Sequence, residues 1–196
     1  MTNPNHTLEE VQAMTIGPVA RLIDGKIVLV PYDPTWPALY DREASRVRRV
    51  LGTRVRRLEH VGSTSVPGLT AKPRIDMVLA VPDSADELAY VPDMEAAGYV
   101  LKIREPDWFE HRLFRGPDTD INLHTFTEGA SEVEKMLRFR DWLRTHEDDR
   151  ERYQRTKLEL AERRWEFTQQ YADSKTTVVH EILARAGWVE PEPAPA

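Results

Sequence analysis

Apolar positions come in short alternating runs through the first two thirds of the chain and at helical spacing through the last third. Ile27 to Val30, stopped by Pro31, predicts a strand. Trp36, Leu39, Tyr40, Val47, Val50 and Leu51 recur at helical spacing while Arg42, Arg46 and Arg49 fall on the other face. This predicts an amphipathic helix over 37–51, capped by Thr35 and with Pro37 in its first turn. Alternation predicts strands over 54–61 and 75–81; in the second, Ile75, Met77 and Leu79 share one face and Asp76, Val78 and Ala80 the other. A helix over 86–97 closed by Gly98, a strand over 99–103, and a hairpin of 111–115 with 121–126 around GPDTD follow. From Ser131 to Ala186 the pattern predicts three helices, broken near His146 and Asp173. Strands first and helices last predict an α+β domain with a C-terminal helical region.

Residues 1–20 are polar, with one short helical stretch at Leu8 to Met14, and are expected to form a flexible arm. The proline-rich tail 189–196 is expected to be disordered, leaving 21–188 as one domain. The absence of cysteine from the 196 residues excludes disulfides, thiolate metal sites and a cysteine nucleophile. With 27 Lys+Arg against 33 Asp+Glu, the net charge of −6 repels nucleic acid and anionic lipid, so neither is expected as a partner and phosphate binding must be local. No apolar stretch approaches the ~20 residues of a membrane span, and the acidic N-terminus lacks a signal-peptide core. A cytoplasmic location is the expectation.

The segment EHVGSTSVPGLTAKPRIDMVLAV, residues 59–81, carries most of the chemical information. A strand delivers Gly62 into a turn where backbone N–H groups and the hydroxyls of Ser63, Thr64 and Ser65 can converge on a phosphate. Lys72 supplies a mobile cation, and Asp76 a hard oxygen ligand suited to Mg²⁺. Taken singly, these residue types also make ordinary loops. Asp120, Asn122 and His124 share a face if the strand of 121–126 extends back to Asp120. On the residues alone, Asp120 also reads as part of the GPDTD turn and His124 as a hydrogen-bonded structural histidine. His60 reads as structural. Tyr153 with Lys157, and Tyr171 with Lys175, stand four apart on helical faces, which suits a base and a phosphate but also suits an ordinary amphipathic boundary.

A Gly-Ser turn after a strand, followed by a strand carrying Asp, resembles the nucleotidyltransferase superfamily. More narrowly, EHVGSTSVPGL, AKP and ID resemble the GrpB family of nucleotidyltransferase-like proteins, also found fused to dephospho-coenzyme A kinase. The resemblance continues through NLHTF (122–126), FRDWLR (139–144), Tyr153 with Lys157, and Tyr171, Lys175 and Ile182, spanning about residues 28 to 188. It implies a nucleotidyltransferase-like mixed β-sheet core that binds ATP or another nucleoside triphosphate with Mg²⁺. The implied reaction is nucleotidyl transfer to a small-molecule acceptor, or, as a variant, activation of a carboxylate for amide or ester formation. The implied catalytic residues are Asp76, Asp120 and His124, with Asp76 and Asp120 as metal ligands; Asp120 stands for the third acid that the superfamily takes from a later strand, and His124 is the alternative ligand or base. Gly62, Ser63, Thr64, Ser65, Lys72, Tyr153, Lys157 and Lys175 would bind the nucleotide. One departure stands out: two-metal members of the superfamily place a second acid two residues along the strand, where this chain has Val78. That leaves open a non-catalytic nucleotide or coenzyme sensor.

Overall fold

The computed structural model describes residues 6–191. The first five residues of the expected arm and the last five of the expected tail lie outside them. Five strands, β1 (Arg57–Val61), β2 (Ile75–Val81), β3 (Val100–Glu105), β4 (His111–Arg115) and β5 (Ile121–Thr127), form one mixed sheet in the order β1-β2-β5-β4-β3. Only the central pair, β2 with β5, is parallel. Apolar side chains on both faces suit β2 to this place, because a central strand covered on both sides exposes neither face. Asp76 alone interrupts its burial.

Helices α2 (Trp36–Leu51) and α3 (Val91–Ala96) cover one face, where Trp36, Ala44, Val47 and Leu51 pack with Ile75, Met77, Leu79, Phe114 and Leu123. On the other face α4 (Ser131–Thr145) sets Val133 and Leu137 against Val61, Val78 and Phe126. Helices α5 (Glu147–Ala161), α6 (Thr168–Asp173) and α7 (Thr176–Arg185) complete the C-terminal region. Val66 and Leu69, from the loop after β1, pack against Leu143, Tyr153, Val178 and Ile182 of α4, α5 and α7. The α+β order read from the sequence is the observed one.

Local departures have local causes. Ile27 to Val30 joins the sheet nowhere and makes a single bridge, Val30 to Ala71, since its side chains serve two clusters: Ile27 and Leu29 near Leu160 and Tyr171, Val30 at the main core. Thr35 holds the N-cap position of α2, but its hydroxyl bonds Asp33 at 2.7 Å instead of capping the helix. The helix expected over 86–97 divides at Tyr90, where an extended φ of −147° separates a 3₁₀ turn from α3. The last third contains four helices, not three. The additional break at 162–167 arises because this segment runs back along residues 21–25, with Leu22 N donating to Glu166 O at 3.0 Å and Trp165 N to Gly25 O at 2.9 Å. Within the expected arm, α1 (Leu8–Met14) begins with a capping box of Thr7 and Glu10, buries Val11, and leads into Ile16, whose N–H donates to Lys102 O of β3 at 2.8 Å. Among the described residues no helix is long and apolar enough to cross a membrane.

Glu43 ties α2 to the far side of the sheet. Its fully buried carboxylate accepts from Tyr99 Oη at 2.8 Å, Thr119 Oγ1 at 2.6 Å and Arg46 Nη1 at 3.3 Å. Removing it strips the buried Tyr99 hydroxyl of its acceptor and leaves Thr119 only a 3.4 Å contact to Asp118, while Arg46 keeps Asp118. Glu43→Ala is therefore expected to lower the unfolding free energy by about 3 kcal/mol. Chemical denaturation checks this; a loss below about 1 kcal/mol, the range of an exposed pair, would refute it.

Candidate functional site

The site begins where β1 ends. Gly62 has φ +69°, and a Cβ placed on it would lie 2.5 Å from Asp76 Oδ2 and 2.9 Å from Asp76 Cβ. Glycine is required here twice over, for the left-handed backbone and for the space. The Ser63–Ser65 turn follows, closed by Ser65 Oγ donating to Gly62 O at 2.6 Å. Behind it His60 stacks on Tyr40 with centroids 5.0 Å apart, and its Nε2 lies 3.0 Å from Thr64 Oγ1. Burial pushes the His60 pKa down to about 4. It is a neutral structural ring, as the sequence suggested.

Register places Asp76 opposite Asn122 in the parallel pair, and Asn122 Nδ2 donates to Asp76 Oδ1 at 2.7 Å. In front of them a cavity of about 490 Å³ is enclosed by β2, β4, β5, the 11–20 segment and helices α5 and α6. Six cations line it, Lys72, Arg74, Lys102, Arg115, Lys157 and Lys175, against one carboxylate, Asp76. Lys157 Nζ donates to Ser63 Oγ at 3.1 Å and to Thr70 O, and sits 4.9 Å from the Tyr153 ring centroid. Lys72 and Lys175 flank one ring, that of Tyr171, with their Nζ atoms 5.4 and 4.8 Å from its centroid. Burial, reinforced by neighbouring lysines, pushes Lys72 down to about 8 and Lys157 to about 7. Three residues that line the cavity each bury one polar atom without a hydrogen-bond partner, Arg115 Nη1, Asn122 Oδ1 and Tyr171 Oη.

The structure brings Gly62, Ser63, Thr64, Lys72, Asp76, His124, Lys157 and Lys175 together. Three expected residues fall elsewhere. Ser65 turns into the loop, and its carbonyl accepts from Arg144 at 2.8 Å. Tyr153 is buried beneath Lys157, edge-on to Phe139 at 5.2 Å, and supports the lysine without reaching the cavity. Asp120 does not line the cavity: its half-exposed carboxylate lies 2.6 Å from Arg74 Nε and 3.7 Å from Arg115 Nη1. The parallel register sets Asn122, two residues further along, beside Asp76. Among the described residues no group of three or more His, Asp or Glu is placed to hold a metal ion. His124 faces the cavity and its Nδ1 lies 3.0 Å from His111 Nε2, while His111 Nδ1 lies 2.6 Å from Glu105 Oε2. Burial, followed by the neighbouring His111, holds His124 down to about 4.

Sequence reading missed Arg74, Lys102, Arg115, Asn122, His111 and Glu105 as site residues. Asn122 and His124 sit two apart in NLHTF, the one signal that pointed toward the pairing face.

The family model described as "GrpB protein" matches residues 26–185. A UPF0157 protein of Halalkalibacterium halodurans is 58% identical over 180 residues, covering 92% of each chain. A dephospho-CoA kinase of Mycolicibacterium paratuberculosis is 31% identical over 163 residues, which cover 69% of this chain and 40% of that protein. Among solved structures, the conserved protein GrpB of Enterococcus faecalis superposes with a TM-score of 0.70 at 26% identity, covering 81% of this chain and 96% of that one.

Gly62→Ala is expected to cost about 2 kcal/mol, from left-handed strain plus the clash with Asp76. In an Asp76→Gly background the clash component disappears and the cost should fall by roughly half. Urea unfolding of the four proteins tests this; equal costs in both backgrounds would show that the approach to Asp76 is not what demands glycine.

Proposed function

Given that this chain belongs to the GrpB family, we propose that the cavity binds a nucleoside triphosphate, ATP or another, and that the protein transfers its nucleotidyl group to a small-molecule acceptor. The observation that carries this reading is the gathering of six cations around one carboxylate in a protein of net charge −6. Burial first, and the neighbouring lysines second, disfavour the charge of Lys72 and Lys157, and a polyanion offsets both. Ser63, Lys157 and Lys72 bind phosphate oxygens, and Lys175 and Arg115 close the ring of charge. Asn122 holds the Asp76 carboxylate in place.

Mg²⁺ fits only in one way. It commonly binds one or two carboxylates and takes its remaining ligands from phosphates and water. One carboxylate suits an ion that enters with a polyphosphate and does not suit a cage built from protein alone. Asp76 would hold that ion, whose chemistry is to neutralise phosphate charge. The variant in which the nucleotide activates a carboxylate uses the same binding residues.

A second reading, a nucleotide or coenzyme sensor, is favoured by Val78 in place of an acid and by the Asn122 amide on Asp76. Titration calorimetry with ATP, ADP, pyrophosphate and dephospho-coenzyme A, each with and without Mg²⁺, followed by mass spectrometry of products, separates the two. Mg²⁺-dependent binding with turnover supports the enzyme. Tight Mg²⁺-independent binding without products supports the sensor, and no binding of any member refutes both.

Lys157→Met keeps the stem and removes a buried charge, so the unliganded protein is expected to gain about 1 kcal/mol while ATP affinity falls tenfold or more. Lys175→Met should weaken ATP similarly. A lysine on a solvated face would change neither quantity.

The pH dependence has a definite sign. Lys72 and Lys157 hold folded pKa values of about 8 and about 7, below the ordinary ~10.4. The unfolded chain therefore binds more protons across that window, and stability of the unliganded protein rises with pH from about 7 to about 10. Anion affinity runs the opposite way, falling as pH rises through 7 to 8 and the lysines lose charge. Thermal melts and pyrophosphate titrations at pH 6.5 and 9 check both slopes.

A further inference from the structure

The chain of groups Glu105, His111 and His124 runs from the end of β3 through β4 to β5 and stops at the cavity. A carboxylate only accepts hydrogen bonds, so the contact of Glu105 Oε2 with His111 Nδ1 at 2.6 Å places a proton on that nitrogen. In a neutral imidazole the other nitrogen is then bare. With His111 neutral, its Nε2 accepts and the group 3.0 Å away, His124 Nδ1, donates. That assignment leaves the lone pair of His124 on Nε2, the atom left for the cavity that His124 lines. The polarity of one carboxylate is thus carried through two rings.

Packing fixes the rings that carry it. His111 is buried, stacked on Phe126 with centroids 4.8 Å apart and held edge-on by Trp108 at 5.0 Å. His111 and His124 lie nearly parallel, 5.2 Å between centroids. Neither ring can turn over without losing these contacts. The charged groups facing His124 are Asp76 from β2 and Arg115 from β4, with His111 as its titratable neighbour. The other ionisable side chains on the cavity wall are the six basic groups, Tyr171, and Asp76, whose Oδ1 accepts from Asn122.

We infer that Glu105 and His111 are positioning residues that hold His124 Nε2 bare as a proton acceptor facing the cavity, and that the second ligand presents a hydroxyl or amino group to it. The inference rests on the proposed nucleotide reading and names the class of acceptor, an alcohol or amine. In the transfer step the acceptor oxygen or nitrogen forms a bond to the α-phosphorus of the nucleoside triphosphate. Its proton passes to His124 Nε2. The bond from phosphorus to the pyrophosphate oxygen breaks, and the leaving pyrophosphate takes the electron pair. The imidazolium so formed keeps its Nδ1 proton on His111, whose own proton is held by Glu105.

Nitrogen-15 spectroscopy of the histidine side chains in the full chain, at pH 8 where a histidine of ordinary pKa is neutral, reads the polarity directly. The expected result is a proton on Nδ1 of both rings and a bare Nε2 on His124. Glu105→Leu should mix the His124 tautomers, and Glu105→Gln should restore them, since its amide oxygen accepts the same proton. A proton on His124 Nε2 in the unaltered protein overturns the proposal whether or not the variants fold. The functional arm uses ATP, Mg²⁺ and a panel of amino and hydroxyl compounds, with products read by mass spectrometry. His124→Phe should bind ATP within threefold of the unaltered protein and lose product formation at least a hundredfold. Product at the original rate, or ATP bound by the unaltered protein with no product from any acceptor, overturns the proton-accepting role. Failure to bind ATP at all overturns the nucleotide reading instead, and the tautomer spectrum then still judges the relay.

Discussion

The close approach of Gly62 to Asp76 governs the geometry of the whole site. No side chain at position 62 fits beside that carboxylate, and the backbone there is left-handed. The approach follows from the antiparallel pairing that sets Val61 opposite Asp76 at the edge of the β1 and β2 ladder. From it the chain turns at once into Ser63, whose hydroxyl receives Lys157 from α5. The sheet, the turn and the helical region therefore meet at one point.

The helical region is more than a cover. Val66 and Leu69, a few residues beyond the turn, are buried among α4, α5 and α7. Arg144 of α4 reaches the Ser65 carbonyl with two nitrogens, at 3.0 and 2.8 Å, and Gln154 of α5 accepts from Thr70 N at 2.8 Å. The turn is clamped from both sides, which suits a loop that must present hydroxyls and N–H groups in a fixed array.

Charge is distributed against the protein's average. The exterior carries the acidic excess, while the cavity concentrates cations on a wall with a single carboxylate. Burying cations that repel one another costs stability, and the cost is borne where a ligand would recover it. Lys157 in particular is held in place by Thr70 O and Ser63 although burial disfavours its charge.

The sequence by itself determined whatever depends on neighbours along the chain. Alternation placed β2, β4 and β5, helical spacing placed α2, and the run from Glu59 to Asp76 announced the turn, the lysine and the carboxylate. Those signals are local: a strand's faces follow from a period of two, and a glycine turn from the residues around it. Tertiary structure decided what depends on register and distance. The parallel pairing put Asn122 beside Asp76 and sent Asp120 to two arginines. The fold exchanged Tyr153 for Tyr171 at the cavity wall and gathered Lys72, Arg115, Lys157 and Lys175 from segments far apart in the chain. It also lined up Glu105, His111 and His124 across three strands. Nothing in the residues flanking each of these groups encodes that convergence, because the contacts form between strands and helices whose relative placement is set by burial of the core as a whole.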